Sequence, residues 1–78
     1  MVAANVRAAR ARLKLRQIDL ADDMGWAAST VSSVEAGTRR ITLADAAALC
    51  GALKIDLRQL LAGVDQETLN NLGIDRRA

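Results

Sequence analysis

Residues 17–37 read QIDLADDMGWAASTVSSVEAG, two short segments that each end at a glycine. Apolar residues recur in both segments at three- and four-residue intervals, as on one face of a helix: Leu20, Ala21, Met24, Val31 and Val34. This spacing predicts helices over 17–24 and 28–36. Gly25 and Gly37 follow them, and glycine readily adopts the left-handed conformation that ends a helix. Two helices joined by a short turn that contains glycine form a helix-turn-helix unit.

The flanking sequence predicts three more helices, so the expected fold class is all-α with five helices. A first helix over 3–14 places Val6, Ala9 and Leu13 on one face. Thr42-x-x-Asp45 is a capping box that opens a helix over 43–53, and Asp56-x-x-Gln59 opens a fifth, short helix. The residues expected inward on these last two helices are apolar: Leu43, Ala46, Ala47, Leu49, Cys50, Leu53, Leu57, Leu60 and Leu61. The domain is predicted to span 3–62, with a tail over 63–78 in which 65–72 form one more helix.

Length and composition exclude several classes of protein. The chain has 78 residues, which fits one small domain. It has no histidine and one cysteine, so a disulfide framework, a structural zinc site and histidine-based catalysis within one chain are all excluded. With no convincing pair of carboxylates either, we expect no enzyme, metal or cofactor. Cys50 is interpreted as a small buried hydrophobe rather than a reactive thiol.

The chain is expected to be cytoplasmic, because no apolar run approaches the roughly 18 residues of a membrane span and no signal peptide is evident. Its charge is unevenly distributed. Residues 1–16 carry five basic side chains and no acid, residues 17–35 carry four acids and no base, and Arg39 and Arg40 follow. This polarity is typical of a nucleic-acid footprint, although solvated arginines on helix surfaces would give the same pattern.

The third predicted helix has two unlike faces. At roughly 100° per residue, Thr30, Val31, Val34 and Glu35 fall on one side. The other side carries only small residues, most of them with hydroxyl groups: Ala28, Ser29, Ser32, Ser33 and Ala36. A solvated face more commonly carries lysine or glutamate, so the small face predicts the close approach of a partner. A plain exposed helix rich in serine and alanine is the alternative.

A family pattern runs through the same region. The sequence Leu15-Arg16-Gln17-x-x-Leu20-Ala21-x-x-Met24-Gly25-x-x-x-Ser29-Thr30-Val31-Ser32-x-Val34-Glu35-x-Gly37-x-Arg39 resembles the phage repressor and Cro-like helix-turn-helix family, also called the xenobiotic-response-element type. The resemblance covers about 6–61. It implies a lambda-repressor-like domain that binds double-stranded DNA and regulates transcription, with helix 28–36 in the major groove. An antitoxin, or a protein-interaction module that kept the fold without DNA readout, are the alternatives.

The resemblance also implies roles for individual residues. The expected base contacts are Ala28, Ser29, Ser32 and Ser33, and the expected phosphate contacts are Arg16, Gln17, Thr30, Arg39 and Arg40. Arg10 and Glu35 match the family's structural ion pair. The sequence departs from the family at Arg16 and Ala27, which stand where serine or threonine caps are usual. The small residues of the recognition helix also rule out bidentate base readout.

A homodimer on a pseudo-palindromic operator is expected, with no small-molecule ligand. The resemblance places the dimer contact near the fifth helix. Apolar residues in that region exceed what so small a core can hide: Leu57, Leu60, Val64, Leu69, Leu72 and Ile74. Trp26 is expected to cover the core, and Ile18 to pack on the tail.

Overall fold

The computed structural model describes residues 2–64, and within them every regular element is a helix. The helices are α1 (Val2–Arg12), α2 (Gln17–Met24), α3 (Ala28–Ala36), α4 (Leu43–Leu53) and α5 (Leu57–Leu60). The all-α, five-helix prediction is therefore confirmed. The helix predicted over 65–72 lies outside the described residues. None of the five helices is long and apolar enough to cross a membrane.

The ends of the helices follow from local signals at most positions. Gly25 and Gly37 adopt the left-handed conformation, with φ of 69° and 77°, and end α2 and α3 where the sequence predicts. Lys54 ends α4 in the same conformation, with φ of 57°, although it has a side chain. The predicted end of α1 at residue 14 is wrong, because the helix stops at Arg12 and Lys14 turns the chain with φ of 56°.

Both predicted capping boxes are confirmed. The backbone N–H of Asp45 donates to Thr42 Oγ1 over 3.0 Å, and the backbone N–H of Thr42 donates to Asp45 Oδ2 over 3.1 Å. Asp56 and Gln59 make the same reciprocal pair over 2.7 and 2.9 Å. These bonds satisfy N–H groups that a helix start otherwise leaves without a partner.

Aliphatic side chains fill the core, since the chain has no phenylalanine or tyrosine. The largest fully buried side chains come from all five helices: Val6, Leu20, Val31, Val34, Leu49, Leu53 and Leu60. Helix α2 packs most extensively against α3, and α1 packs against α3, α4 and α5. The helix-turn-helix pair is thus held from behind by α1 and α4.

Three residues predicted to point inward are exposed. Leu13 is 36% exposed because it lies beyond the end of α1, where the helical spacing no longer applies. Leu43, at the first position of α4, is 52% exposed on an apolar groove that Val2 also lines. Ala47 is exposed because the buried side of α4 is formed by Ala46, Leu49 and Leu53.

Other predictions for single residues have mixed outcomes. Trp26 packs against the core, as expected. Cys50 is only half-buried, and burial raises the pKa of its thiol. Ile18 is exposed, and all but the first two residues of the tail on which it was expected to pack lie outside the described residues.

Asn5 makes a long-range connection that the sequence did not predict. Its side-chain Nδ2 donates to the backbone carbonyls of Leu60 and Ala62, each over 2.8 Å. These carbonyls lie at the end of α5, where a helix leaves acceptors unsatisfied. The amide therefore fastens the last described turn of the chain to α1.

Candidate nucleic-acid interface

Helix α3 presents a small, polar face to solvent and an anchored face to the core. Val31, Val34 and Glu35 are buried, whereas Ser29 and Ser32 are exposed. The two remaining predicted base contacts, Ala28 and Ser33, are half-buried, and so is Thr30. The structure thus places the predicted face outward, centred on Ser29 and Ser32 rather than spread evenly over all four residues.

Ser33 uses its hydroxyl inside the helix. Its Oγ donates to the backbone carbonyl of Ser29 over 3.0 Å, one turn earlier. A serine bonded in this way has lone pairs left for a partner, but its proton is already engaged. Ser29 and Ser32 make no side-chain hydrogen bond within residues 2–64, so their hydroxyls are free to donate.

A buried carboxylate connects α1, α2 and α3. Glu35 is 4% exposed, and Arg10 donates to both of its oxygens: Nε to Oε2 over 2.7 Å and Nη2 to Oε1 over 3.0 Å. Gln17 Nε2 donates to Oε1 over 3.2 Å. The side-chain hydrogen bond with Glu35 is the main reason that the pKa of Arg10 is raised. The structure thus brings together the two residues of the expected ion pair and adds a third.

Main-chain acceptors extend this cluster. Arg10 Nη1 donates to the carbonyl of Leu15 over 2.7 Å, and Arg7 Nη1 donates to the backbone carbonyl of Glu35. From the sequence, Arg7 is expected only as one member of the basic run. Its position three residues before Arg10, on the same side of α1, is the signal that could have identified it. Two arginines of α1 therefore hold the carboxyl end of α3.

Gln17 begins α2, but its side chain points to Glu35 rather than lying free at the surface. The side-chain amide of Gln17 is therefore engaged, and the predicted phosphate contact depends chiefly on the backbone N–H groups at the start of α2. The first N–H groups of any α-helix lack intrahelical partners, and they attract anions. The bond to Glu35 fixes the start of α2 relative to the end of α3.

Arg16 is paired with Asp19. Its Nε and Nη2 donate to the two carboxylate oxygens over 3.1 and 3.0 Å, and its backbone N–H donates to Oδ2 over 2.8 Å. The side-chain hydrogen bond from Arg16 is the main reason that the pKa of Asp19 is lowered. The Arg16 side chain remains 79% exposed. The side chain of Arg16 accepts no hydrogen bond from the start of α2. Asp19 compensates in part, because its carboxylate accepts from the backbone N–H of Arg16.

Arg39 and Arg40 are exposed just beyond α3. The guanidinium carbon of Arg39 lies 5.6 Å from the centroid of the Trp26 ring, a contact that the sequence analysis did not predict. The loop between α3 and these arginines is fixed by Thr38, whose Oγ1 donates to the carbonyl of Ser33 over 3.2 Å. Ala27, before α3, makes no side-chain cap, as its methyl group requires.

Comparison with known proteins identifies the same region. A family model described as helix-turn-helix matches residues 6–60, which is more than half of the chain and includes every residue of the site described above. A search of curated proteins finds no match.

Proposed function

Since the chain belongs to the Cro/C1-type helix-turn-helix family of DNA-binding transcription regulators, we propose that it is a cytoplasmic repressor of the phage repressor or Cro-like kind. Helix α3 enters the major groove of double-stranded DNA. The observation that carries this proposal is the exposed, small face of a helix whose opposite face is anchored through buried Glu35. A side chain no larger than serine lets the helix backbone come close to the base edges.

Bases are read by Ala28, Ser29, Ser32 and Ser33. Serine hydroxyls bond to base edges of either kind, and the methyl group of Ala28 contacts thymine methyl groups. Ser29 and Ser32 carry most of this readout because they are exposed and have free hydroxyls, whereas Ser33 serves as an acceptor. Discrimination between bases is modest, since no side chain on this face can form a bidentate pair.

Phosphates are held by residues on either side of the recognition helix: Arg16, Gln17, Thr30, Arg39 and Arg40. Contacts of this type position the protein without reading sequence. The guanidinium of Arg16 shares its donors between a phosphate and Asp19, which lies 3.0 Å away. Gln17 contributes its backbone N–H, since its amide is engaged with Glu35.

The protein binds a pseudo-palindromic operator as a homodimer, with recognition helices about 34 Å apart. Within the expected contact region, Leu57 and Val64 are half-buried. Leu60 does not contribute, because it is fully buried in the core of its own chain. Leu69, Leu72 and Ile74 lie outside the described residues. Sedimentation that shows a monomer both at high protein concentration and on operator DNA would contradict the dimer.

Fluorescence anisotropy with labelled duplex DNA over a series of salt concentrations tests the interface, combined with selection of bound sequences from a random pool. Ser32→Gln should change the preferred sequence and leave the salt dependence nearly unaltered. Arg40→Ala should weaken binding to all sequences and reduce the salt slope by about one. If Arg40→Ala changes the preferred sequence while Ser32→Gln does not, α3 is not the reading helix.

A protein-interaction module is the second candidate, and the internal bond of Ser33 favours it, because that bond removes one donor from an already plain surface. Such a module would show no salt-sensitive affinity for random duplex DNA. The same anisotropy series therefore separates the two functions.

A further inference from the structure

The only aromatic residue of the chain contacts one of the arginines beside the recognition helix. Trp26 lies in the turn between α2 and α3, and Arg39 lies just after α3. The guanidinium carbon is 5.6 Å from the ring centroid, within the roughly 6 Å at which a cation and an aromatic face attract each other. Trp26 is half-buried against the core, whereas Arg39 is exposed. A fixed ring thus supports a cation that faces solvent.

We propose that Trp26 is a positioning residue for DNA binding, which holds the guanidinium of Arg39 in place for a phosphate beside the recognition helix. The inference rests on the proposed function and deepens it, since it assigns a role to a residue with no part in that proposal. An arginine that stacks on a ring uses the face of its planar group, and its N–H donors lie in the plane. The ring and a phosphate therefore bind Arg39 at the same time.

The arginines at this surface differ in what holds them. Arg16 directs Nε and Nη2 at Asp19, so a phosphate must share this guanidinium with a carboxylate. Arg39 takes part in neither of the two ion pairs formed within residues 2–64. A free arginine side chain loses rotamer freedom when it binds. The contact with Trp26 restricts Arg39 before DNA arrives, and this reduces the loss that accompanies binding.

Arg40 provides the matched control. It is exposed like Arg39 and adjacent to it in the chain, and its guanidinium stacks on no ring within the described residues. Removal of the Trp26 ring should therefore weaken the contribution of Arg39 to binding and leave that of Arg40 unchanged.

A double-mutant cycle on the full chain tests the proposal, with a short random-sequence duplex as the probe. Trp26→Leu keeps an apolar side chain over the core and should weaken binding by about two- to fivefold, the effect of one exposed cation–π contact. In the Arg39→Ala background the same change should have no effect on affinity. In the Arg40→Ala background it should retain its full effect. Trp26→Phe, which keeps a ring, should restore most of the affinity.

The salt dependence supplies a readout that a loss of folding would not reproduce. Trp26→Leu should leave the salt slope unchanged, because Arg39 still reaches the phosphate, whereas Arg39→Ala should reduce it by about one.

Acrylamide quenching of Trp26 emission should be stronger in Arg39→Ala than in the wild type, both free and on DNA. Loss of that difference on DNA would mean that Arg39 leaves the ring, and it would overturn the proposal.

Three further outcomes are distinguishable. If the wild type binds the duplex and Trp26→Leu weakens binding equally with and without Arg39, the positioning role is wrong while the DNA-binding function stands. If Trp26→Leu strengthens binding, the ring withholds Arg39 from DNA and the proposal is likewise wrong. Absence of any salt-dependent binding by the wild type would overturn both this inference and the proposed function.

Discussion

Replacement of Glu35 by alanine is expected to remove much of the stability of the domain. The carboxylate accepts hydrogen bonds from two nitrogens of Arg10 and one of Gln17, and the residue is 4% exposed. Removal of one partner of a buried ion pair typically costs about 3–5 kcal/mol, because the other charge stays behind uncompensated. Arg10 is 21% exposed and recovers some hydration, so we expect a loss near the lower limit, about 3 kcal/mol.

A loss of this size is a large fraction of the roughly 5–15 kcal/mol that stabilises a typical protein. For a domain of this length each 1 kcal/mol shifts the melting temperature by roughly 4–8 °C, so Tm should fall by about 12–24 °C. Thermal melts and urea titrations followed by far-ultraviolet circular dichroism measure both quantities. Glu35→Gln keeps the shape of the side chain and some of its hydrogen bonds. Its melting temperature should therefore lie between those of the wild type and of Glu35→Ala.

Arg16→Ala is the matched control, because it breaks an ion pair of similar geometry that lies at the surface. Exposed pairs contribute little, so its melting temperature should stay close to that of the wild type. If Glu35→Ala melts within a few degrees of Arg16→Ala, the buried carboxylate does not hold the helices together and the reasoning fails.

Three further predictions concern single positions. The pKa of Asp19 is lowered by its bonds to Arg16, so the stability they provide is complete above the ordinary aspartate value near 4 and is lost as the pH falls through the lowered pKa. Asp19→Asn should therefore show a smaller drop in Tm on acidification; equal drops would contradict this cause. Gly51→Ala should stabilise the chain by about 0.5–1 kcal/mol, since Gly51 lies inside α4 and a Cβ there meets nothing within 4 Å. If the added methyl group clashes with its surroundings, urea denaturation will show a lower free energy of unfolding than that of the wild type, and the prediction is wrong. Lys54→Gly should also stabilise by about 0.5–1 kcal/mol, because it relieves a left-handed residue with a side chain; a Lys54→Ala variant, which keeps the strain, should gain nothing in the same titration.

Signals confined to a few neighbouring residues made the helices predictable. The bounds of α2, α3 and α4 agree with those expected from apolar spacing, glycine stops and the Thr42–Asp45 box. The end of α1 was missed because Lys14 turns the chain without a glycine. The exposure of Leu43, at the first position of α4, was not predicted either. Helical spacing assigns a direction to Leu43 but does not show whether a neighbouring element covers it.

The site was less predictable, since side-chain partners depend on which helices meet. Arg10 and Glu35, which lie together in the structure, were singled out through the family resemblance rather than through their spacing. Arg7 lies on the same side of α1 as Arg10, but the helix carbonyl that accepts its hydrogen bond becomes evident only once α1 and α3 are packed together. The contact between Trp26 and Arg39 spans the whole of α3, so it became evident only once the helix and both turns were placed.

These partners change the meaning of the basic N-terminal segment. Its charge is typical either of a nucleic-acid footprint or of solvated arginines on a helix surface, yet Arg7 and Arg10 are directed at the end of α3 and stabilise the fold. Several of their donors are already engaged within the domain, so fewer remain for a phosphate. Arg39 differs, since it lies against the Trp26 ring and takes part in neither of the two ion pairs formed within residues 2–64. The capacity of this surface for an anionic partner therefore depends on how each arginine is held, and much less on how many arginines the segment contains.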